Sequence, residues 1–305
     1  MNKSPSPLRQ NVIKLLAQYG ISPDDELGQS FLCDDRLLEQ EIEYANVKKN
    51  DIVLEIGPGI GNLTDLLAQK AKKVIAIEKD IQYKQILSTL QRKYDNIDII
   101  YADALDIDFP VFNKIVSNLP YKIALPLIFK ILKHEFDIAA LICQERLAHR
   151  ICAMPGQKGY CRLSVQINRV SKVDLLKKIH RKSFYPPPEV DSAIIRIIKT
   201  LPQFEVPSDI FFKEVLKFLF SMREKTLEET LFALVETGVL SSKIKKIKSA
   251  INQKLLKKTI FMSSPKDLGK VTWILWKEIG EEIVDYFYIY YKINNLYNKS
   301  GDDTD

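Results

Sequence analysis

The chain has 305 residues, 46% of them hydrophobic and 28% charged, with only 11 glycines and 14 prolines, which excludes collagen-like, low-complexity and wholly disordered polymers. Its length is about two domains' worth, because single hydrophobic cores stop growing near roughly 250–300 residues. The formal charge of +6, from 45 basic and 39 acidic residues, suits a polyanionic partner without requiring one.

Taken in chain order, the opening Met1-Asn2-Lys3-Ser4-Pro5 lacks the apolar core of a signal peptide, and no later run approaches the roughly 18 apolar residues of a membrane span. A soluble, cytoplasmic protein with no membrane partner is expected. Residues 1–26 carry a helical pattern at Val12, Leu15, Leu16 and Tyr19, closed by Gly20, which predicts an N-terminal helical extension. From Asp51, short apolar runs alternate with helical stretches: Ile52 to Ile56, Val74 to Ile77, Ile97 to Tyr101, Lys114 to Ser117 and Ile138 to Cys143. That alternation predicts βαβ units, and so an α/β fold with a parallel sheet and helices on both faces. After Ile198 the strand pattern stops, Thr200-Leu201-Pro202-Gln203 reads as a linker, and residues 208–292 read as helical. Ser264-Pro265-Lys266-Asp267 marks one helix start strongly, aligning an N-cap serine, an N1 proline and a capping-box acid. The expected boundaries are an extension over 1–26, a catalytic domain over 27–198 and a helical RNA- or ribosome-binding domain over 203–305.

The chemistry is written at the ends of the strands. Ile52 to Ile56 runs directly into Gly57-Pro58-Gly59-Ile60-Gly61-Asn62, a turn whose glycines let the backbone come against a ligand. Glu78 ends the second strand about 20 residues past the first glycine, where a carboxylate can hold both hydroxyls of a ribose. A dinucleotide fingerprint would put its third glycine at the position of Asn62, whereas here it falls at Gly61. The G-x-G-x-G spacing favours S-adenosyl-L-methionine, which has no pyrophosphate to cradle. Asp103 follows the third strand, where the exocyclic amine of an adenine needs an acceptor. Cys33, Cys143, Cys152 and Cys161 form no C-x-x-C pair, and the three histidines stand at no ligand spacing beside them, so no metal is expected.

At the end of the fourth strand stand Asn118, Leu119, Pro120 and Tyr121. The exocyclic nitrogen of adenine is a poor nucleophile, because its lone pair is delocalised into the ring. Acceptors that draw on its hydrogens are therefore needed, and the Asn118 side-chain oxygen and the Leu119 carbonyl can supply them. Pro120 stiffens the turn and Tyr121 can stack on the base. Neither a metal nor a general base is required, since the alkylated, cationic nitrogen loses its proton readily; catalysis is mostly positioning.

These residues, with Leu27-Gly28-Gln29-Ser30-Phe31-Leu32, Arg162-Leu163-Ser164-Val165 and the segment Ser183-Phe184-Tyr185-Pro186-Pro187-Pro188-Glu189-Val190-Asp191-Ser192, resemble the small-subunit ribosomal RNA adenine dimethyltransferases. Loss of these enzymes gives kasugamycin resistance in bacteria, and the divergence of this chain is archaeal-like. The resemblance implies a Rossmann-like class I methyltransferase sheet with a smaller all-helical C-terminal domain. It also implies dimethylation of the N6 amines of two adjacent adenosines near the 3′ end of small-subunit rRNA, in ribosome biogenesis, with S-adenosyl-L-methionine as cofactor. The partner implied is that rRNA within an immature ribosomal subunit, and a monomer is expected. Implied cofactor contacts are Gln29, Ser30, Leu32, Gly57, Gly59, Glu78, Asp103 and Asn118. Implied catalytic residues are Asn118, Leu119, Pro120, Tyr121 and Phe184, the last stacking on the target base opposite Tyr121.

The chain departs from the family pattern at Ser30, where Asn or His is usual, at Cys161 in place of Gly, and at Glu189 in place of Lys. Residues 220–229 are less basic than usual, which would weaken phosphate contacts. Positive charge gathers at Lys243, Lys245, Lys246, Lys248, Lys254, Lys257 and Lys258, and again at Lys177, Lys178, Arg181 and Lys182, as expected of an RNA surface. The run Tyr286 to Tyr291 reads as an aromatic helix packing the C-terminal core. Two alternatives stay open: a large-subunit rRNA adenine methyltransferase, and an assembly checkpoint protein in which catalysis is secondary.

Overall fold

The alternating apolar runs fold as strands and helices in the computed structural model, which describes residues 6–24, 27–236, 243–280, 283–285 and 287–288. Two units divide the chain, one of residues 1–152 and 171–200, the other of residues 153–170 and 201–305.

The first unit contains, in chain order, α1 (Pro7–Gln18), β1 (Phe31–Leu32), α2 (Asp35–Tyr44), β2 (Ile52–Ile56), α3 (Asn62–Lys70), β3 (Lys73–Glu78), α4 (Lys84–Lys93), β4 (Ile97–Tyr101), β5 (Lys114–Asn118), α5 (Ala124–Ile131), β6 (Ile138–Gln144), α6 (Glu145–Cys152), β7 (Ser171–Ile179), β8 (Phe184–Tyr185) and β9 (Ser192–Lys199). Seven strands form one sheet in the order β4-β3-β2-β5-β6-β9-β7. The first five in that order pair in parallel, while β9 is antiparallel to both β6 and β7. The sheet is thus mixed rather than wholly parallel. Residues 53–56 are buried without alternation, which requires cover on both faces and explains why the run is apolar at every position but Glu55. The strand order reverses between β2 and β5, and ligands of open α/β sheets sit outside the carboxyl ends of strands at such a switch point.

The N-terminal helix is part of this unit and not a separate extension. Ser6 caps α1, and Val12 and Leu16 are buried with Phe31, Ile60, Tyr83 and Leu87. A two-residue β1 pairs with β8, setting Phe31 against Tyr185 and Leu32 against Phe184.

In the second unit, α7 (Arg162–Val170) packs with α8 (Asp209–Ser221), α9 (Leu227–Glu236), α10 (Ile244–Ala250), α11 (Gln253–Leu256) and α12 (Pro265–Ile279). The boundary drawn at residue 198 therefore misses residues 153–170, which belong with the helices. The physical reason is on α7, whose Val165 joins a core with Phe211, Leu216, Leu256 and Leu275, while the Tyr160 hydroxyl donates to the Ser263 carbonyl at 2.8 Å. Ser264 caps α12 as its sequence foretold, accepting from the Asp267 N–H at 3.2 Å. Residues 220–229 owe their acidity to local architecture. Glu229 accepts from the Thr226 N–H at 2.7 Å in a capping box at the start of α9, Glu228 pairs with Lys248, and Arg223 is drawn to Glu224 at 3.0 Å. Of the aromatic run, Phe287 stacks on Phe218 with ring centroids 4.5 Å apart and Tyr288 is exposed; Tyr286 and residues 289–291 lie outside the described residues.

Candidate active site

A cavity of about 300 Å³ opens at the switch point of the sheet. Its walls include Gln29, Ser30, Leu32, Gly57, Gly59, Glu78, Asp103, Asn118, Leu119, Pro120 and Tyr121, so every expected site residue except Phe184 meets in one place.

On one wall the glycine turn leaves β2 with Gly57, Gly59 and Gly61 all at positive φ. A Cβ at Gly59 would stand 2.7 Å from the Phe31 ring, and one at Gly61 would stand 2.3 Å from Leu90, so glycine is demanded by both conformation and space. Glu78 closes the turn. One carboxylate oxygen accepts the Gly59 N–H at 2.9 Å and the other the Asp80 N–H at 2.8 Å. Burial raises its pKa, while those two N–H groups hold the charge. Each carboxylate oxygen keeps a lone pair for a ligand hydroxyl. Asp103 accepts from the Leu105 N–H at 2.8 Å and pairs with Lys79 at 2.8 Å, and that ammonium holds its carboxyl below the usual range.

Gln29 is wired to the same wall. Its amide oxygen accepts from the Tyr83 hydroxyl at 2.6 Å and the Asp24 N–H at 2.8 Å, and its amide nitrogen donates to Asp80 at 2.7 Å. Below the turn, fully buried Glu55 accepts the Thr64 hydroxyl at 2.7 Å, and burial pushes its pKa up to about 8. Behind it Glu41 is also fully buried, with its pKa raised in the same direction first by burial and then by Glu55.

The opposite wall is the tetrapeptide after β5. The Asn118 amide nitrogen donates to the Ser30 carbonyl at 3.2 Å; since a carbonyl can only accept, this contact fixes which way the amide faces and leaves its oxygen on the other side. The Leu119 N–H donates to the Ile142 carbonyl at 3.0 Å, fixing the next peptide plane. Tyr121 shares a hydrogen bond with the Ser192 hydroxyl, and burial pushes its pKa up to about 12. Ser30, the departure from Asn or His, donates its hydroxyl to the Pro186 carbonyl at 2.6 Å.

Phe184, expected to stack on a base, is not among the residues that line this cavity. It is fully buried in the core beside Leu32, Val116, Ile142 and Ile194. Successive strand residues face opposite ways, so pairing β8 with β1 turns Phe184 inward and leaves Tyr185 partly exposed under Arg9. Sequence reasoning missed Phe31, Glu55, Lys79, Asp80, Tyr83 and Ser192. Phe31 and Ser192 stand inside the quoted segments and Glu55 in the strand before the glycine turn, but only Asp80, two residues past Glu78, carried a local signal of its contact.

The residues present fit S-adenosyl-L-methionine. A buried carboxylate at Glu78 suits a ribose diol, Asp103 suits an exocyclic amine, and the cavity is of the size that takes such a ligand.

A family model described as ribosomal RNA adenine dimethylase matches residues 23–267. The chain belongs to that family. It is therefore a methyltransferase, of a family that uses S-adenosyl-L-methionine. Similar proteins include those named probable ribosomal RNA small subunit methyltransferase A from Thermococcus onnurineus, 39% identical over 87% of this chain and 96% of that protein, and from Thermococcus sibiricus, 40% identical over 88% and 97%. Among solved structures, a dimethyladenosine transferase from Plasmodium falciparum matches with a TM-score of 0.70 and 30% identity, over 81% of this chain and 98% of that one. A 23S rRNA methyltransferase, ErmE, matches with a TM-score of 0.64 at 23% identity, over 80% and 99%, a likeness of fold alone. Among the described residues, no helix is long and apolar enough to cross a membrane.

Proposed function

We propose that this dimethylase family member converts two adjacent adenosines near the 3′ end of small-subunit rRNA to N6,N6-dimethyladenosine, acting in the cytoplasm on an immature ribosomal subunit. The observation that carries this reading is the convergence of Asn118, Leu119, Pro120 and Tyr121 with Glu78 and Asp103 on one cavity. The cofactor supplies an electrophilic sulfonium methyl. The chain's own part is to hold and orient. Glu78 and Asp103 bind the nucleoside moiety, Gln29 keeps Asp80 and the wall beside them in place, and the glycine turn gives the close approach. Opposite them, the Asn118 oxygen and the Leu119 carbonyl accept the two N6 hydrogens of adenine, which localises the nitrogen lone pair toward the methyl donor. Tyr121 provides a face for the base. Five of the seven lysines at 243–258, namely Lys243, Lys245, Lys246, Lys254 and Lys257, are exposed, as an electrostatic contact with rRNA needs. The relatives' printed names favour the small subunit over the large.

The test is to supply labelled cofactor to a mixture of unmodified small and large ribosomal subunits and to separate them afterwards. Label on the small subunit alone is expected. Label on the large subunit would overturn the substrate assignment, and particle binding without label would favour the checkpoint reading.

A further inference from the structure

Ser192 has no place in the chemistry set out above, yet it is completely buried and its hydroxyl bonds to a residue that lines the pocket. It stands at the start of β9, paired with Gln144 of β6 on one side and Ile179 of β7 on the other. The preceding residue is also clamped: the Asp191 carbonyl accepts the Glu145 N–H at 3.0 Å and its carboxylate accepts the Arg181 N–H at 2.9 Å. The Ser192 side chain is 0% exposed, and its hydrogen bond goes to the hydroxyl of Tyr121. A buried hydroxyl left without a partner is costly, so an alanine would be the cheaper residue unless the contact itself were useful.

Tyr121 differs in every respect from its partner. It lies on a short turn, Tyr121–Ile123, between β5 and α5, and it lines the cavity. Its ring is set by two torsions that the turn alone does not fix. Binding the hydroxyl at the far end of that ring to a strand flanked on both sides removes the freedom. Tyr121 stands on the same wall as Asn118 and Leu119, where its ring can set the plane of the base site.

We propose that Ser192 is a positioning residue for the target adenine, holding the Tyr121 ring through its hydroxyl in the orientation that the base stacks upon. This rests on the reading that Tyr121 faces adenine. The second methylation is the step that depends on it most, because the monomethylated base is bulkier and must still place its nitrogen against Asn118.

The experiment uses the full chain with Ser192→Ala, Tyr121→Phe and the double variant. Tyrosines are replaced by 3-fluorotyrosine, and the Tyr121 fluorine line is identified by its loss in Tyr121→Phe. In Ser192→Ala that line is expected to move. KM for monomethylated subunits is expected to rise roughly three- to tenfold, the size of one net hydrogen bond, while the affinity for S-adenosylhomocysteine is unchanged. Adding Ser192→Ala to Tyr121→Phe should then cost nothing further. If Ser192→Ala fails to fold, Tyr121→Phe breaks the same pair from the loop and must give the same rise in KM. An unmoved fluorine line, an equal loss of S-adenosylhomocysteine affinity, or a full Ser192→Ala effect in the Tyr121→Phe background would overturn the proposal. A wild-type chain that methylates no adenine, with a fluorine line that still moves, would remove the adenine reading and leave only the structural pair.

Discussion

On the β2–β3 wall of the pocket the contacts of Glu78 are short in sequence, reaching Gly59 across 19 residues and Asp80 across two, and Gln29 joins them from 51 residues before Asp80. On the β5 wall they are long, with Asn118 tied to Ser30 across 88 residues, Tyr121 to Ser192 across 71 and Ser30 to Pro186 across 156. A wall made of one strand, one turn and the next strand is specified by a compact motif and by glycines that nothing else can replace. A wall made by bringing β1, β5, β8 and β9 together exists only once the sheet has closed. In the proposed reading the first holds the cofactor and the second the base, where selectivity must be exercised.

The largest effect expected from breaking the long-range wall is in the core behind it. Phe184→Ala should cost about 3–5 kcal/mol of stability by leaving a cavity under β1 and β8, seen as a lower Tm; a normal Tm with a selective loss of the second methylation would restore Phe184 to the base site. Next comes Asn118→Ala, which should lower kcat by about 10²–10³, the cost of removing one preorganised polar contact, while subunit binding is retained; normal turnover would refute the role given to its oxygen. Glu78→Gln sharpens the comparison from the other side. It should weaken cofactor binding by about 1.5–3 kcal/mol, the worth of hydrogen bonds to a charged group, with little effect on subunit affinity, as titration calorimetry can measure.

The smallest effect is on pH dependence. Burial pushes the folded Glu55 carboxyl up to about 8 from the ordinary 4.5, so between those values the folded chain binds more protons than the unfolded one. Stability must then fall as pH rises from about 4.5 to about 8, and Glu41 adds to the same slope. In Glu55→Gln the slope of Tm against pH over that window should flatten. An unchanged slope would mean that Glu55 stays ionised beneath the glycine turn.

Legibility in the sequence followed the same division. The five parallel strands, the glycine turn, Glu78 and the tetrapeptide were readable because period, spacing and order carry them, and the Ser264 cap because its signal is four residues long. The antiparallel pairing of β7 and β9 was not foreseen, since β7 mixes exposed Lys172, Lys177 and Lys178 with half-buried residues and looks like a charged surface run. Assignment of α7 to the helical unit was hidden, because only tertiary contacts of Val165 and Tyr160 decide it. The burial of Phe184 was not legible, because a motif records which residue is present but not which way a two-residue strand turns it. Ser192 ended the same motif unnoticed, a serine with no local sign of its partner.

The most direct test of the account is nucleoside mass spectrometry of unmodified small subunits after incubation with S-adenosyl-L-methionine and either the wild-type chain or Asn118→Ala. The account predicts N6,N6-dimethyladenosine at two adjacent positions near the 3′ end of the rRNA with the wild type, formed about 10²–10³-fold more slowly by the variant. Methyl groups on any other base, or equal dimethylation by the variant, would contradict it.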